Sequence, residues 1–375
     1  MTPALVVSAG DAGRFPEGQV FEAEAADGAV IRGHRYPRPG ARAVVAGHGL
    51  ASTSYEFDLP LDGYNLAEKL YALGYETWTV NWRGAGHPPA RSGARDWRHS
   101  GDWPGALDLP AVLDLVERET GSRPFYIGHS FGGMTLYVYL QGTFIDRRDG
   151  FRVKRDPELA RERNRRLAGA VTVGSPVSMR GRADDAIERA RRSRAAQAWF
   201  RSLERWLERR DRTSPRVPLG EFAIRFGLDH PRLAAAVMSS PLARFYLQPR
   251  NLGREACGVF GTWAGGSVSA RHLAHMVQMA RLGDFAPHVP GPGSPPFTYA
   301  DGMGMVTVPL VVAAGGRDFV RRDRLEDAVL DRAGSEHKRL LFLPEAGHVD
   351  LLYLMDLEDV FGWLEERAGE ENPTD

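Results

Sequence analysis

Pro124-Phe125-Tyr126-Ile127-Gly128-His129-Ser130-Phe131-Gly132-Gly133 is the stretch on which the reading of this chain turns. A short apolar run, Phe125 to Gly128, leads into Gly128-His129-Ser130-Phe131-Gly132, and Phe131 to Leu140 continues with helix-like character. G-x-S-x-G between a strand and a helix is the setting in which a tight, strained turn projects a serine hydroxyl from a sheet edge. Side chains on the flanking residues would collide there, so glycine, which lacks a Cβ, is required. Gly133 lets the helix pack close to the strand. The helix N-terminus behind Ser130 presents free N–H groups and partial positive charge, both suited to a developing oxyanion. Ser130 is the candidate nucleophile.

Outward from this turn, strands and helices alternate. Gln19 to Glu24 and Ala29 to Tyr36 flank Asp27-Gly28, a hairpin signal. Arg42 to Ala46 is a short strand ending in Gly47-His48-Gly49, Leu61 to Leu73 a helix stopped by Gly74, and Glu76 to Trp82 a buried strand. Pro104 to Glu119 reads as a helix broken by Gly121, and Leu167 to Val173 as the next strand. The alternation lapses from Val177 to Ala300. It resumes with a strand at Pro309 to Ala314, a helix at Arg322 to Ala333, a strand at Lys338 to Leu343 and a helix at Leu351 to Ala368, before a polar, frayed tail from Gly369. An antiparallel start followed by alternation predicts an α/β fold, a mostly parallel central sheet with helices on both faces. Residues 1–176 and 301–375 are expected to form the core. Residues 177–300 are expected to be an inserted helical cap, with Gly291-Pro292-Gly293-Ser294-Pro295-Pro296 as a loop returning to the core.

A serine hydroxyl needs an adjacent base, and in this kind of sheet the acid and then the histidine follow the serine in chain order. Among His230, His272, His275, His288, His337 and His348, only His348 lies in a short loop after the last strand, Pro344-Glu345-Ala346-Gly347-His348. The acid is expected after the preceding strand, in Gly315-Gly316-Arg317-Asp318, where open α/β sheets place their ligands. Asp318 competes with Asp301, which precedes that strand, and with Asp350, two residues beyond His348. It could also simply cap a helix starting near Val320. Two oxyanion donors are expected, the N–H of Phe131 and the N–H of Leu50 in Gly47-His48-Gly49-Leu50.

With these residues placed, the sequence resembles the α/β-hydrolase superfamily and, within it, the acid (gastric/lysosomal-type) lipase branch. His48-Gly49-Leu50 is similar to the family's oxyanion-loop motif. Leu66-Ala67, Gly74-Tyr75 and Asn81 with Arg83-Gly84 resemble its next helix and strand. Asp108-Leu109-Pro110-Ala111 is similar to a short helix motif, and Gly128 to Gly133 resembles the nucleophile elbow. Gly174-Ser175-Pro176, Gly315 to Asp318 and His348-Val349-Asp350 are similar to the later turns. The resemblance implies a Ser130–His348–Asp318 triad and an α/β-hydrolase fold. The Arg-rich cap does not resemble the family's lid.

Composition narrows the remainder. The chain has 375 residues, 48 basic and 48 acidic side chains and one cysteine, Cys257. Balanced charge gives no reason to expect a nucleic-acid partner. One cysteine excludes an internal disulfide and a cysteine metal site, and no cofactor or metal is expected. The first residues lack a secretory pattern and no run approaches the length of a membrane span, so a cytoplasmic setting is expected. The stretch from Arg180 to Arg210 is Arg-rich, with Trp199, Phe200, Leu203, Trp206 and Leu207 at helical spacing, an amphipathic helix. Its arginines would meet an anionic group, such as that of an acyl carrier, or a membrane surface, or else pair with Asp184, Asp185, Glu188, Glu204 and Glu208 along a solvated face. The aromatics from Trp199 to Trp263 divide between cap core and an apolar substrate pocket. His272 and His275, three apart on a helix, read as pocket or surface histidines.

The leading expectation is a carboxylic-ester hydrolase acting on a small hydrophobic ester. The same triad would also serve an acyltransferase, thioesterase or cyclase, and a non-catalytic binding protein is a third reading of this fold. An acyl carrier and a second copy of the chain are the partners left open.

Overall fold

The computed structural model describes residues 15–94, 96–180, 186–240, 246–291, 293–320 and 328–370. Its centre is an eight-stranded sheet in the order β1-β2-β4-β3-β5-β8-β11-β12. The strands are β1 (Gln19–Glu24), β2 (Val30–Tyr36), β3 (Ala43–Gly47), β4 (Glu76–Asn81), β5 (Phe125–His129), β8 (Gly169–Val173), β11 (Leu310–Gly315) and β12 (Lys338–Leu343). β1 and β2 pair antiparallel through the expected hairpin, β2 joins β4 antiparallel, and β4-β3-β5-β8-β11-β12 are parallel. The expected mostly parallel α/β sheet is what forms.

Its central strands read as continuous apolar runs because both faces are covered. Val45, Tyr126, Ala170 and Val312 point to one core, with α2 (Leu109–Thr120) and α3 (Phe131–Leu140). Val44, Phe125, Ile127, Val171, Val173 and Val311 point to the other, with α1 (Leu66–Ala72) and the C-terminal helix Leu357–Glu370. The period-2 alternation of a strand supplies both cores at once.

Several local expectations shift. α1 starts at Leu66 and not at Leu61, because the Asn65 side chain caps it by accepting the Glu68 N–H at 3.0 Å. Pro104–Asp108 is a π-helical turn that runs into α2, which stops at left-handed Gly121. Between α3 and β8 lies structure that the sequence reading missed: the hairpin β6 (Thr143–Asp146) and β7 (Arg152–Arg155), then α4 (Pro157–Arg165). The expected helix from Leu351 to Ala368 is two, Asp350–Leu354 and Leu357–Glu370. Met355 is extended there, and the Asp356 side chain accepts the Asp359 N–H at 3.1 Å, starting a new helix. The first half of the expected helix from Arg322 to Ala333, residues 322–327, lies outside the described residues.

From Val177 to Ala300 the chain leaves the central sheet. It forms α5 (Ala186–Arg192), α6 (Arg194–Thr213), β9 (Arg216–Val217), α7 (Leu219–Asp229), α8 (Pro231–Met238), α9 (Pro249–Trp263), β10 (Val268–Ser269) and α10 (Ala270–Leu282). Ser193 separates α5 from α6 and caps the latter. The tryptophans expected on the apolar stripe of α6 are instead exposed, Trp199 at 61% and Trp206 at 56%. The buried face carries Leu207 with Glu204 and Asp211, which pair with Arg281 and Arg271 of α10. The acids therefore turn inward to a neighbouring helix, while Arg201, Arg205, Arg209 and Arg212 stay exposed. No helix among the described residues is long and apolar enough to cross a membrane.

One buried ion cluster joins the sheet to α2. The Arg83 guanidinium, just past β4, donates to Asp108 at 2.9 Å and to Asp27 of the β1–β2 hairpin at 2.7 Å. Arg83 and Asp108 are almost wholly buried. Removing one partner strands the other charge in low dielectric. Asp108→Ala is expected to lower unfolding stability by about 3–5 kcal/mol, read by urea or thermal denaturation. A loss under 1 kcal/mol would show that water reaches Arg83.

Candidate active site

Three turns leave the parallel strands β5, β11 and β12 at the same edge of the sheet. The first, after β5, holds Ser130 at φ 51° and ψ −113°, a conformation rare for a residue with a Cβ. It is anchored by Ser130 N–H to Val173 O at 2.7 Å. A Cβ on Gly132 would lie 2.0 Å from Gly47 O, and one on Gly133 would lie 2.1 Å from Ser175 Oγ. α3 thus sits against β3 and the end of β8 at a distance only glycine permits.

The second turn follows β11. Gly316 N–H donates to Leu343 O at 2.9 Å, and Arg317 N–H to Ala346 O at 2.9 Å, tying this turn to the one after β12. Asp318 then points inward. Its carboxylate accepts from His348 Nδ1 at 2.9 and 3.0 Å, while Oδ1 also takes the Val320 N–H at 2.9 Å, so the capping role weighed above coexists with the histidine contact. The third turn carries His348, whose Nε2 is 2.9 Å from Ser130 Oγ. Gly174, at φ 57°, floors the acid–histidine pair, since a Cβ there would lie 2.8 Å from Asp318 Oδ2. Ser130, His348 and Asp318 thus come together from positions 130, 348 and 318.

The competing acids sit elsewhere. Asp301 is exposed. Asp350 is buried and accepts from Gly347 N–H at 2.9 Å, Gln248 N–H at 2.8 Å and Asn251 Nδ2 at 2.5 Å, pinning the His348 loop to the start of α9.

The Leu50 loop borders the serine. A Cβ on Gly49 would lie 3.4 Å from Ser130 Cβ. Phe131 opens α3, so its N–H has no acceptor within the helix. His48 Nδ1 contacts Gly49 O at 2.8 Å, and its Nε2 accepts the Trp82 N–H at 3.2 Å. One donor and one acceptor suit a neutral ring. Burial pushes His48 down to about 4, against the pull of Glu56 and the Gly49 carbonyl. Behind Leu50 and Phe131 a cavity of about 20 Å³, room for roughly one water, is lined also by His99 and His272. The His272 ring centroid is 4.3 Å from that of Phe131, and burial, then repulsion from His275 and His48, lowers it to about 3. Among the described residues no His, Cys, Asp and Glu cluster is placed to hold a metal ion.

Three rings approach His348, the His129 imidazole at 4.8 Å, Phe319 at 5.0 Å and Tyr246 at 5.7 Å between ring centroids. Tyr246 was among the aromatics weighed for a pocket; Phe319 was not. Phe245 lies outside the described residues. Phe260 packs with Leu59, Leu247 and Cys257 in a third core, and Phe222 is exposed.

Sequence reasoning also missed Glu56, in the 3₁₀ turn Ser54–Glu56. It is fully buried, and Oε2 accepts both the Gly49 N–H at 2.8 Å and His129 Nδ1 at 3.1 Å. His129 was legible only as the variable position before Ser130. No periodicity marks Glu56, since its partner is 73 residues away.

The alpha/beta hydrolase family model matches residues 44–362. "Lipase 1" of Drosophila melanogaster is 23% identical over 358 residues, 91% of this chain and 74% of the relative. Human gastric triacylglycerol lipase is 30% identical over 128 residues, only 30% of this chain and 32% of that protein. Among solved structures, the esterase EaEST of Exiguobacterium antarcticum aligns with a TM-score of 0.51 and 15% identity over 94% of this chain and 99% of its own. DcsB, in complex with its substrate analogue, aligns with a TM-score of 0.54 and 15% identity over 94% and 99%.

Asp350→Ala should loosen the His348 loop. It is expected to cost roughly 1–3 kcal/mol, the scale of hydrogen bonds to a charged acceptor, and to speed amide exchange at Gly347 and Gln248. Unchanged exchange at both amides would remove Asp350 from this role.

Proposed function

Because this chain belongs to the alpha/beta hydrolase family, we propose that it is a serine hydrolase that cleaves a carboxylic ester of a hydrophobic substrate through an acyl-enzyme. The observation that carries this reading is the unbroken line from Ser130 Oγ to His348 Nε2, 2.9 Å, and from His348 Nδ1 to Asp318, 2.9 Å. Lipases and esterases among the relatives and solved structures support the ester as the bond broken.

Ser130 Oγ attacks the ester carbonyl carbon while His348 Nε2 takes its proton. Asp318 keeps the Nδ1–H tautomer and stabilises the imidazolium. The N–H groups of Leu50 and Phe131 hold the oxyanion. Collapse breaks the bond to the alcohol, which leaves with the proton from His348. Water then attacks the acyl-enzyme carbonyl and gives its proton to His348; collapse breaks the bond to Ser130 Oγ, which takes that proton from His348, and the carboxylic acid leaves. The helices of residues 177–300 act as a cap over this edge, with residues 1–176 and 301–375 as the core, and Tyr246 and Phe319 form the apolar wall beside His348.

A fluorophosphonate probe should label wild-type protein at Ser130 and leave Ser130→Ala unlabelled. Against a p-nitrophenyl ester, Ser130→Ala should lower kcat roughly 10⁴-fold or more, and Asp318→Asn about 10³–10⁴-fold. Wild-type protein that neither labels nor turns over any ester in a chain-length series would end this reading. In the same series Tyr246→Ala should raise KM for octanoyl and longer esters at least several-fold while changing acetate little. An equal effect at every length would take Tyr246 out of the acyl wall.

A further inference from the structure

Behind the serine lies a second acid–imidazole pair that the proposed reaction does not use. We infer that Glu56 and His129 are positioning residues, an ionised tie that holds the Leu50 donor loop and the His348 loop in register around Ser130. This rests on the function proposed above, since the two loops it joins are those carrying the proposed donor and base.

With Glu56 ionised, the hydrogen-bond directions require a charged His129 ring. His129 Nδ1 faces the Glu56 carboxylate at 3.1 Å, and its Nε2 faces the backbone oxygen of His348 at 3.1 Å. The carbonyl can only accept, so Nε2 donates; Glu56, held ionised by its neighbours, also accepts, so Nδ1 donates too, and a ring with two N–H groups is an imidazolium. His48, one strand away, shows the contrast: one of its nitrogens meets an N–H and the other a carbonyl. The same Glu56 Oε2 takes the Gly49 N–H, which fixes the plane of the peptide just before the Leu50 N–H. One buried carboxylate oxygen and one ring therefore connect the loop after β3, the residue before Ser130 and the backbone of His348.

Glu56 is itself held rigidly. Asn81, at the end of β4, accepts the Ser54 N–H at 2.8 Å and donates to Ser54 Oγ at 3.0 Å. The Tyr353 hydroxyl donates to Glu56 O at 2.8 Å. Burial, the largest influence, pushes the Glu56 carboxyl up, but His129, His48 and the Gly49 N–H outweigh it and hold the group below the usual carboxylate range. Burial likewise pushes His129 down, and Glu56, the His348 carbonyl and Asp318 outweigh that and raise it. The groups facing His129 are thus Glu56, His348, Asp318 and His48. Because Glu56 is depressed, its share of the tie is present above its ordinary value, near 4.5, and is lost as pH falls through the folded value. Because His129 is raised, its share is fully present below its ordinary value, 6.5, and is lost as pH rises through the folded value. The tie therefore weakens on the alkaline side, at a pH above 6.5.

Glu56→Gln tests this. It preserves size and an acceptor but removes the charge, so the buried ring goes neutral and can donate to only one partner. Nitrogen-15 NMR of histidine-labelled wild-type protein at pH 7 should show both His129 ring nitrogens protonated, and Glu56→Gln should show one. On a p-nitrophenyl ester the variant should lose about 10–100-fold in kcat with KM within roughly threefold, and the alkaline limb of its kcat profile should move to lower pH. A packing role alone would not move that limb. A folded variant with wild-type kcat and an unmoved limb overturns the inference. So does a wild-type His129 with a single ring proton at pH 7, a measurement that stands even where the variant fails to fold. Failure of the hydrolase reading shows differently, as wild-type protein that a fluorophosphonate does not label at Ser130, and it ends any positioning role in that reaction while the NMR result still reports the ion pair.

Discussion

Everything at the functional edge follows from one backbone constraint, the left-handed turn at Ser130. A φ of 51° in a residue with a Cβ costs of order 1–3 kcal/mol and persists only where the surroundings overdetermine it. Here they do. Ser130 N–H is bound to β8, the helix behind it packs within a Cβ's reach of β3 and Ser175, and the His348 imidazole sits in front. The turn aims the hydroxyl at the His348 imidazole, and the glycines around it allow the neighbouring backbone to close in.

The buried charges near this edge have charged or hydrogen-bonding partners. Arg83 joins Asp108 and Asp27, Glu56 joins His129, and Asp350 collects two backbone N–H groups and an amide. A buried ion adds little net stability over an apolar residue of the same size, but it penalises any arrangement that leaves it unpaired. Such groups therefore act on geometry. They connect segments far apart in the chain: the β1–β2 hairpin to the start of α2, the Leu50 loop to the His348 loop, and that loop to α9. The apolar cores, by contrast, lie on either side of the sheet and set the strand order.

The local signals that read true have causes within a few residues. Asp27-Gly28 forms its hairpin because the turn geometry favours that pair, and the apolar runs of β3, β5, β8 and β11 reflect burial on both faces. The failures also have causes. Trp199 and Trp206 share a spacing with Leu207, but α10 contacts the face carrying Glu204, Leu207 and Asp211, so the tryptophans turn outward. The β6–β7 hairpin carries charged residues in a short span, with no apolar run to announce it. The helix expected from Leu351 breaks at Met355 because Asp356 starts a new one.

Sequence alone determined the strand–turn–helix around Ser130, the chain order of serine, acid and histidine, and the α/β class, because each depends on residue type, period and short-range turn chemistry. Only the tertiary structure decided that Asp318 and not Asp350 meets His348, that Tyr246 and Phe319 stand beside that ring, and that Glu56 reaches His129 and Gly49. Those contacts join residues far apart in the chain. Which ones form depends on how parallel strands order themselves in the sheet, and no local pattern carries that information.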